Sequence, residues 1–459
     1  MKSKRTILFI FVLVCLTMLS GCVNQIGIPL TISSGIMNAG GPVIDIEING
    51  TKHIAWIEER ITGIGLENAN VIVYLRTIFG ETGIRYQFTP PINYDYTSPD
   101  IAVTDNGYVY LVWMKMHKTD PDEIFGCYDI IPPSGSFTPT CHQLSDYAFE
   151  SYKIVDPPKV ATNGNEVYAV YNVPYEIDFH GKRLRYRQLG SILDDYAGWV
   201  STPTIYMDQN YQVAVDSNGK AHVTWLQYNG EDNAVLYNSN VTVDGFNGMN
   251  DQRVLASNGN YNNITITGSP SEEVFISYRA PEPVYSIRIN HCAVSSCVMP
   301  ISSFTVPLDP TIEPWSAWYL DAGAANNSLY LTFRGRNNLT TGLDYEIFFY
   351  AYPSSSSPTR ITNNDYEDYD PMIASSDGIP IIAWLSDVGT TYERKIWDSF
   401  NGIRTVAVTQ MAYSDDGDIA GRGEWVAGVW TDYYSSTDST NSIWLAFNAH
   451  MVDLPLIVK

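Results

Sequence analysis

The chain has 459 residues, 45% of them apolar, 13% aromatic and only 17% charged, with a formal net charge of −23. An apolar share near half excludes an intrinsically disordered tail, and 50 acids against 27 bases exclude a nucleic-acid partner, which needs clustered Lys and Arg. The 33 Gly, 25 Pro and 32 Tyr favour turns and strands over a helical bundle.

At the N-terminus Lys2, Lys4 and Arg5 precede an apolar run from Ile7 to Met18, followed by Leu19-Ser20-Gly21-Cys22. Charge, apolar run and small residues in that order form an export signal, too short to span a membrane permanently. The last four residues resemble the lipobox of bacterial lipoproteins. That resemblance implies cleavage after residue 21, a diacylglyceryl thioether on Cys22, and an exported protein held at the membrane, facing the periplasm or the cell exterior. So acidic a chain would be held by the acyl anchor and not by anionic headgroups. The expected organisation is a signal over 1–21, lipidated Cys, tether and closing strand over 22–40, one folded domain over 41–450, and a tail over 451–459. In an oxidising compartment Cys127, Cys141, Cys292 and Cys297 read as two local disulfides, 127–141 and 292–297. No CxxC pair supports a four-cysteine metal site.

From residue 41 onward one unit recurs. Gly41–Trp56 (GPVIDIEINGTKHIAW), Ser98–Trp113 (SPDIAVTDNGYVYLVW) and Asn210–Trp225 (NYQVAVDSNGKAHVTW) share a plan with Asp370–Trp384 and Gly417–Trp430. Looser copies span Pro157–Tyr171, Asn262–Tyr278 and Trp318–Phe333. Each is a short apolar strand, a Gly/Asn/Asp turn suited to a tight hairpin, and a second strand ending in an aromatic residue. A third strand follows in each, such as NVIVYLRT from Asn70 or YEIFFYAY from Tyr345, and a fourth in phrases such as STPTIYM from Ser201 and SPTRITN from Ser357. Four antiparallel strands repeated about every fifty residues are the pattern of a β-propeller, which removes exposed edges by closing into a ring. The eighth copy runs out after its third strand, while Ile26–Ser33 lies before the first copy as an unmatched strand. The fold expected is therefore all-β: a single propeller of eight four-stranded blades, the N-terminal strand completing the last. A seven-bladed ring follows if the copy around Trp318 is an insertion.

The unit resembles the blades of sialidase-like, BNR-repeat propellers: an apolar strand, a D-x-x-G turn, a strand ending in Trp, then a YxR-type third strand. The resemblance is architectural. The family's Asp-box, S-x-D-x-G-x-x-W, is nowhere intact; the nearest segment, Ser191 to Trp199, is out of register. Nor do Arg60, Arg76 and Arg85 stand in the context of that family's arginine triad. The resemblance implies either a binding propeller or a diverged sialidase-like glycoside hydrolase.

The sequence carries no nucleophile elbow, H-E-x-x-H helix or phosphate-cradling loop. Arg183, Arg185 and Arg187 alternate along one strand, either as a solvated face or as a grip for an anion. The segments that cross into each first strand repeatedly carry aromatics and acids: Tyr96 and Asp100, Tyr152, Tyr211, Tyr261, Trp315 and Trp318, Asp365, Tyr369 and Asp370, Tyr413 and Asp415. In a propeller these segments border the central channel. Aromatic faces suit sugars, and carboxylates bind hydroxyls or offer oxygen ligands to Ca²⁺, although no motif requires a cofactor. The same residues can equally serve as spacers and turn caps. The expected partner is a glycan or a surface protein, with the membrane reached through the lipid alone. Function belongs first to the departures from the repeat: Trp315, Trp318 and the acid-dense stretch 365–370.

Overall fold

The computed structural model describes residues 30–33, 38–61, 68–78, 83–117, 123–130, 140–145, 156–175, 181–189, 197–201, 207–228, 230–239, 252–259, 261–269, 273–281, 286–293, 302–308, 312, 318–325, 327–336, 344–409, 417–433 and 441–447. Among them there is no helix; every regular element is a strand, and the strands form a β-propeller. Repeat 1 shows the plan. Ala39–Ile46, Lys52–Ile61, Asn68–Thr77 and Gly83–Phe88 pair antiparallel in chain order. Repeat 6 (Trp318–Ala325, Ser328–Arg336, Tyr345–Tyr352, Thr359–Arg360) follows it. So does repeat 7 (Glu367–Ser376, Ile379–Asp387, Tyr392–Asp398, Gly402–Thr409). Repeat 8 has three strands of its own, Gly417–Arg422, Trp425–Tyr433 and Asn441–Phe447. Its fourth is Leu30–Thr31 from the N-terminus, with Leu30 opposite Leu445 and Thr31 opposite Trp444.

The count of sheets differs from the expected eight separate blades. The described strands form seven sheets, six of four strands and one of eight. The large sheet holds repeats 3 and 4, joined by a single parallel pair between Lys182 and Met207. The copy around Trp318, suspected as an insertion, makes a four-stranded sheet of its own. A second correction concerns Ser201: the fourth strand of repeat 3 is Ala197–Trp199, and Met207 already opens the first strand of repeat 4.

The eight terminal aromatics (Trp56, Trp113, Tyr171, Trp225, Tyr278, Phe333, Trp384 and Trp430) are all buried. Four of them have their polar tips hydrogen-bonded within the fold, as burial favours. Trp225 Nε1 donates to Asp208 at 3.0 Å, Trp384 Nε1 to Asp368 at 3.1 Å, Trp56 Nε1 to Glu58 at 2.9 Å, and the Tyr171 hydroxyl to the Leu144 carbonyl at 2.7 Å. Two buried triads repeat the same economy. His53 bridges Glu47 and Tyr74, and His222 bridges Asp216 and Tyr237, with contacts of 2.7–2.8 Å.

Each pair of consecutive repeats closes on its own apolar cluster, and repeat 8 closes on repeat 1 through Ile32, Trp56, Val429 and Leu445. Six of these interfaces hold ten to thirteen buried apolar residues among those described. The interfaces 6/7 and 7/8 hold four each. The ring is thin there.

Candidate ligand-binding site at the channel mouth

First strands of neighbouring repeats touch one another around the ring, so they line its axis. Six of them begin with a β-bulge centred on a residue with positive φ: Gly41, Ser98, Asn210, Asn263, Tyr319 and Asp370. A bulge turns the strand and re-aims the side chains beside it. Tyr319 (φ 54°) is the costliest of these, because a bulky side chain disfavours the left-handed region that Gly, Asn and Asp tolerate.

Below the bulges, carboxylates join repeat to repeat. Asp418 accepts from the N–H of Ile44 at 2.9 Å, Asp45 from Val103 at 2.7 Å, Asp100 from Val160 at 2.8 Å and Asp321 from Ile373 at 2.8 Å. Removal from water outweighs these hydrogen bonds. It pushes Asp45 and Asp321 up to about 6 and Asp418 to about 7, and it raises Asp100; Asp418 also feels the charges of Asp100 and Asp321. At the far end of the first strands Arg422 crosses to the Val103 carbonyl at 2.9 Å and to the Asp105 carboxylate, tying repeat 8 to repeat 2.

Where the ring is thin, repeats 6, 7 and 8 leave a cavity of about 310 Å³. Its wall is built by Tyr319, Leu320 and Asp321 of repeat 6, Asp370, Pro371, Met372 and Arg394 of repeat 7, and Gly417 and Asp418 of repeat 8. Arg394 is almost wholly buried, whereas the Tyr319 ring is 45% exposed. Beside the cavity the Tyr369 hydroxyl donates to the Glu367 carboxylate. Burial and then Glu367 push the Tyr369 phenol well above its ordinary value. Among the described residues no group of three His, Cys, Asp or Glu is placed to hold a metal ion.

The residues singled out by sequence are placed in different settings. Tyr369 and Asp370 belong to this mouth. Tyr96 and Tyr211 are buried struts: Tyr96 lies 5.5 Å from the Trp113 ring, and the Tyr211 hydroxyl donates to the carbonyls of Asp156 and Pro157 at 2.9 and 2.7 Å. Tyr261 packs on Tyr278 and donates to the Ser257 carbonyl at 3.2 Å, Asp100 is the inter-repeat acceptor already described, and Asp365 is exposed. The backbone of Trp318 opens the first strand of repeat 6. Tyr152, Trp315, Tyr413, Asp415, Cys22 and Cys297 lie outside the described residues. The arginine row of repeat 3 is used internally. Arg183 donates to the Ser201 carbonyl at 2.7 Å and stacks on Trp199, and Arg187 donates to the Leu144 carbonyl at 2.9 Å. Sequence reasoning missed Tyr319, Asp321, Arg334 and Arg394. Aligning the copies on the bulge would have found Asp321, which stands two residues after it as Asp100 does.

No family model matches the chain, and no curated protein matches it. Among solved structures it is similar to polysaccharide lyase Uly1, at 8% identity and a TM-score of 0.46 over 93% of this chain and 92% of that one. It is similar to the β-propeller domain of the Trilobed protease from Pyrococcus furiosus, at 8% identity and 0.44 over 81% and 98%. It is also similar to Trypanosoma rangeli sialidase, at 8% identity and 0.36 over 80% and 55%. These likenesses are architectural, and neither an activity nor a family passes with them.

Proposed function

We propose that this chain is an exported, lipid-anchored binding propeller that engages a glycan at the mouth between repeats 6, 7 and 8. One observation carries the reading: an aromatic ring left open to solvent (Tyr319), three carboxylates (Asp321, Asp370, Asp418) and a buried arginine (Arg394) converge on one cavity where the apolar packing of the ring falls away. A concave site that mixes an apolar wall with a few directed polar groups is the usual make-up of a ligand pocket. The anchor on Cys22 and a location at the membrane, facing the periplasm or the cell exterior, belong to the same proposal. So do eight functional blades, with repeats 3 and 4 counted separately, and Ca²⁺ as an optional bridge to hydroxyls. Disulfides 127–141 and 292–297 complete it; Cys127 stands opposite Cys141 in register, and neither Cys141 nor Cys292 is a free thiol.

Binding of purified protein to a polysaccharide panel tests the reading, with Tyr319→Ala and Tyr369→Ala expected to weaken it at least tenfold. Unchanged binding in both variants, or no binding to any polymer, sinks it.

A second reading, a diverged sialidase-like glycoside hydrolase, is favoured by one contact, the Tyr369 hydroxyl on Glu367, since a tyrosine and its carboxylate base can form a glycosyl-enzyme bond. The raised phenol opposes it, because a nucleophile requires the reverse shift. Release of fluorophore from glycosides, sialosides included, would overturn this ranking; silence across the set upholds it.

A further inference from the structure

Beside the cavity, Arg334 on the second strand of repeat 6 lies among three aromatic rings, where Arg183 and Arg185 of repeat 3 share one. Its guanidinium carbon lies 4.7 Å from the ring centre of Tyr319, 4.2 Å from Tyr345 and 5.3 Å from Tyr369. These three tyrosines come from the first and third strands of repeat 6 and the first strand of repeat 7. Arg85 and Arg60 meet Glu58, Arg360 meets Glu346, Arg404 meets Asp398 and Arg422 meets Asp105. Arg334 forms no ion pair among the described residues; its Nε–H is buried with no acceptor, as are those of Arg60 and Arg404, but their guanidinium groups are already met by a carboxylate and that of Arg334 is not. A buried donor left without a partner in a native fold calls for a group that completes it.

We propose that Arg334 and its three tyrosines form an oxyanion site, taking a carboxylate or sulfate ester carried by the ligand of the adjoining cavity. Aromatic faces stabilise the cation and strip away its water without neutralising it, so its forked N–H donors stay available for bidentate contact with two oxygens. Three rings drawn from separate strands also fix the fork before the ligand arrives, which lowers the ordering cost of binding. The chain as a whole is strongly acidic, so long-range attraction does not bring an anion here; a local, desolvated donor set does. Tyr319 is shared by the cage and the cavity, which makes the two one continuous surface. In identifying the ligand as an acidic glycan, the inference rests on the proposed function.

The test uses matched probes: oligogalacturonate against its methyl ester for the carboxylate, and dextran sulfate against dextran for the sulfate, followed by calorimetry. The wild-type chain is expected to prefer the anionic member of at least one pair tenfold or more, and the pair identifies the group. Arg334→Gln should abolish the preference while leaving neutral binding, Arg334→Lys should keep part of it, and Lys220→Gln, which removes an equal charge at the turn end of repeat 4, should keep all of it. Equal affinity within both pairs, or a preference that survives Arg334→Gln, overturns the inference. If no polymer binds, the glycan reading has failed, and sulfate alone decides the site. Against chloride at equal ionic strength, sulfate should raise the unfolding midpoint of the wild type more than that of Arg334→Gln, beyond the general stabilisation sulfate gives any fold. An equal rise in both counts against it.

Discussion

The interface between repeats 3 and 4 and the one between repeats 6 and 7 are built from the same unit and put to different use. At the first, eleven buried residues including Tyr186, Tyr211 and Trp225 fill the seam, and the polar groups within it are answered inside the fold: Trp225 by Asp208, and the Tyr211 hydroxyl by the carbonyls of Asp156 and Pro157. At the second, four buried residues suffice, and the polar groups turn toward a cavity and toward Arg334. A repeat protein advertises its site where one seam stops being like the others, because any side chain needed for packing is repeated and any side chain needed for a ligand is not.

The sharpest way to break the comparison is at the thick seam. Trp225→Ala removes a wholly buried indole and leaves Asp208 without one of its donors. The expected loss is about 3–5 kcal/mol, read as a lower urea midpoint, with ligand binding by the folded fraction unchanged. A loss below about 1 kcal/mol would mean that the seams are not what holds the ring.

Titration probes the channel between the seams. Asp45, Asp208 and Asp321 at about 6 and Asp418 at about 7 all lie above the ordinary aspartate value, so the folded state holds their protons more tightly than the unfolded chain does. Their contribution is therefore fully present below about pH 4 and is lost as pH rises through 6 to 7. Glu47, where contact with His53 outweighs burial and lowers it, acts oppositely at the acid end, and His53, lowered by burial, offsets part of the slope nearer neutrality without matching the four aspartates. The melting temperature should be higher at pH 5 than at pH 8, and Asp418→Asn should flatten that slope. A higher melting temperature at pH 8 would contradict the burial of these groups.

Ring closure is a smaller matter. Deleting residues 1–33 removes the pair Leu30–Thr31 and the buried Ile32 from the seam between repeats 8 and 1. Burial of one isoleucine and a short ladder amounts to about 2–3 kcal/mol. The truncated chain should still fold but melt lower; an unchanged midpoint would show that the three remaining strands of repeat 8 close the ring unaided.

How much of this was legible follows from what each feature depends on. The eight aromatic anchors, the hairpin turns and the N-terminal strand that completes repeat 8 are written as local patterns of period two, and the repeats multiply the signal. The sharing of one sheet by repeats 3 and 4 rests on a single residue pair, Lys182 with Met207, which leaves no trace in composition. The acid-dense stretch pointed to Tyr369 and Asp370, yet the same rule also chose Tyr96 and Tyr211, whose rings turned inward. A tyrosine before a first strand looks the same whether it faces the core or the mouth, since one bulge reverses the side on which it stands. Arg334 was invisible because its setting draws on three strands.

The mildest change sharpens the comparison most, because it separates strain from packing. Tyr319 holds φ at 54° with its ring 45% exposed. The left-handed conformation costs a side-chain-bearing residue about 1 kcal/mol or somewhat more, and glycine little. Tyr319→Gly should therefore hold stability within about 1 kcal/mol of the wild type, relief of strain offsetting the loss of a half-exposed ring and its cation–π contact. Ligand binding should nevertheless fall at least tenfold, because the ring is the wall that cavity and arginine share. Tyr319→Ala keeps the strain and loses the ring, so it should match the glycine variant in binding and sit below it in stability. Were Tyr319→Gly to melt well below Tyr319→Ala, the ring would be a packing element like Tyr96, and the seam between repeats 6 and 7 would differ from the others in size alone.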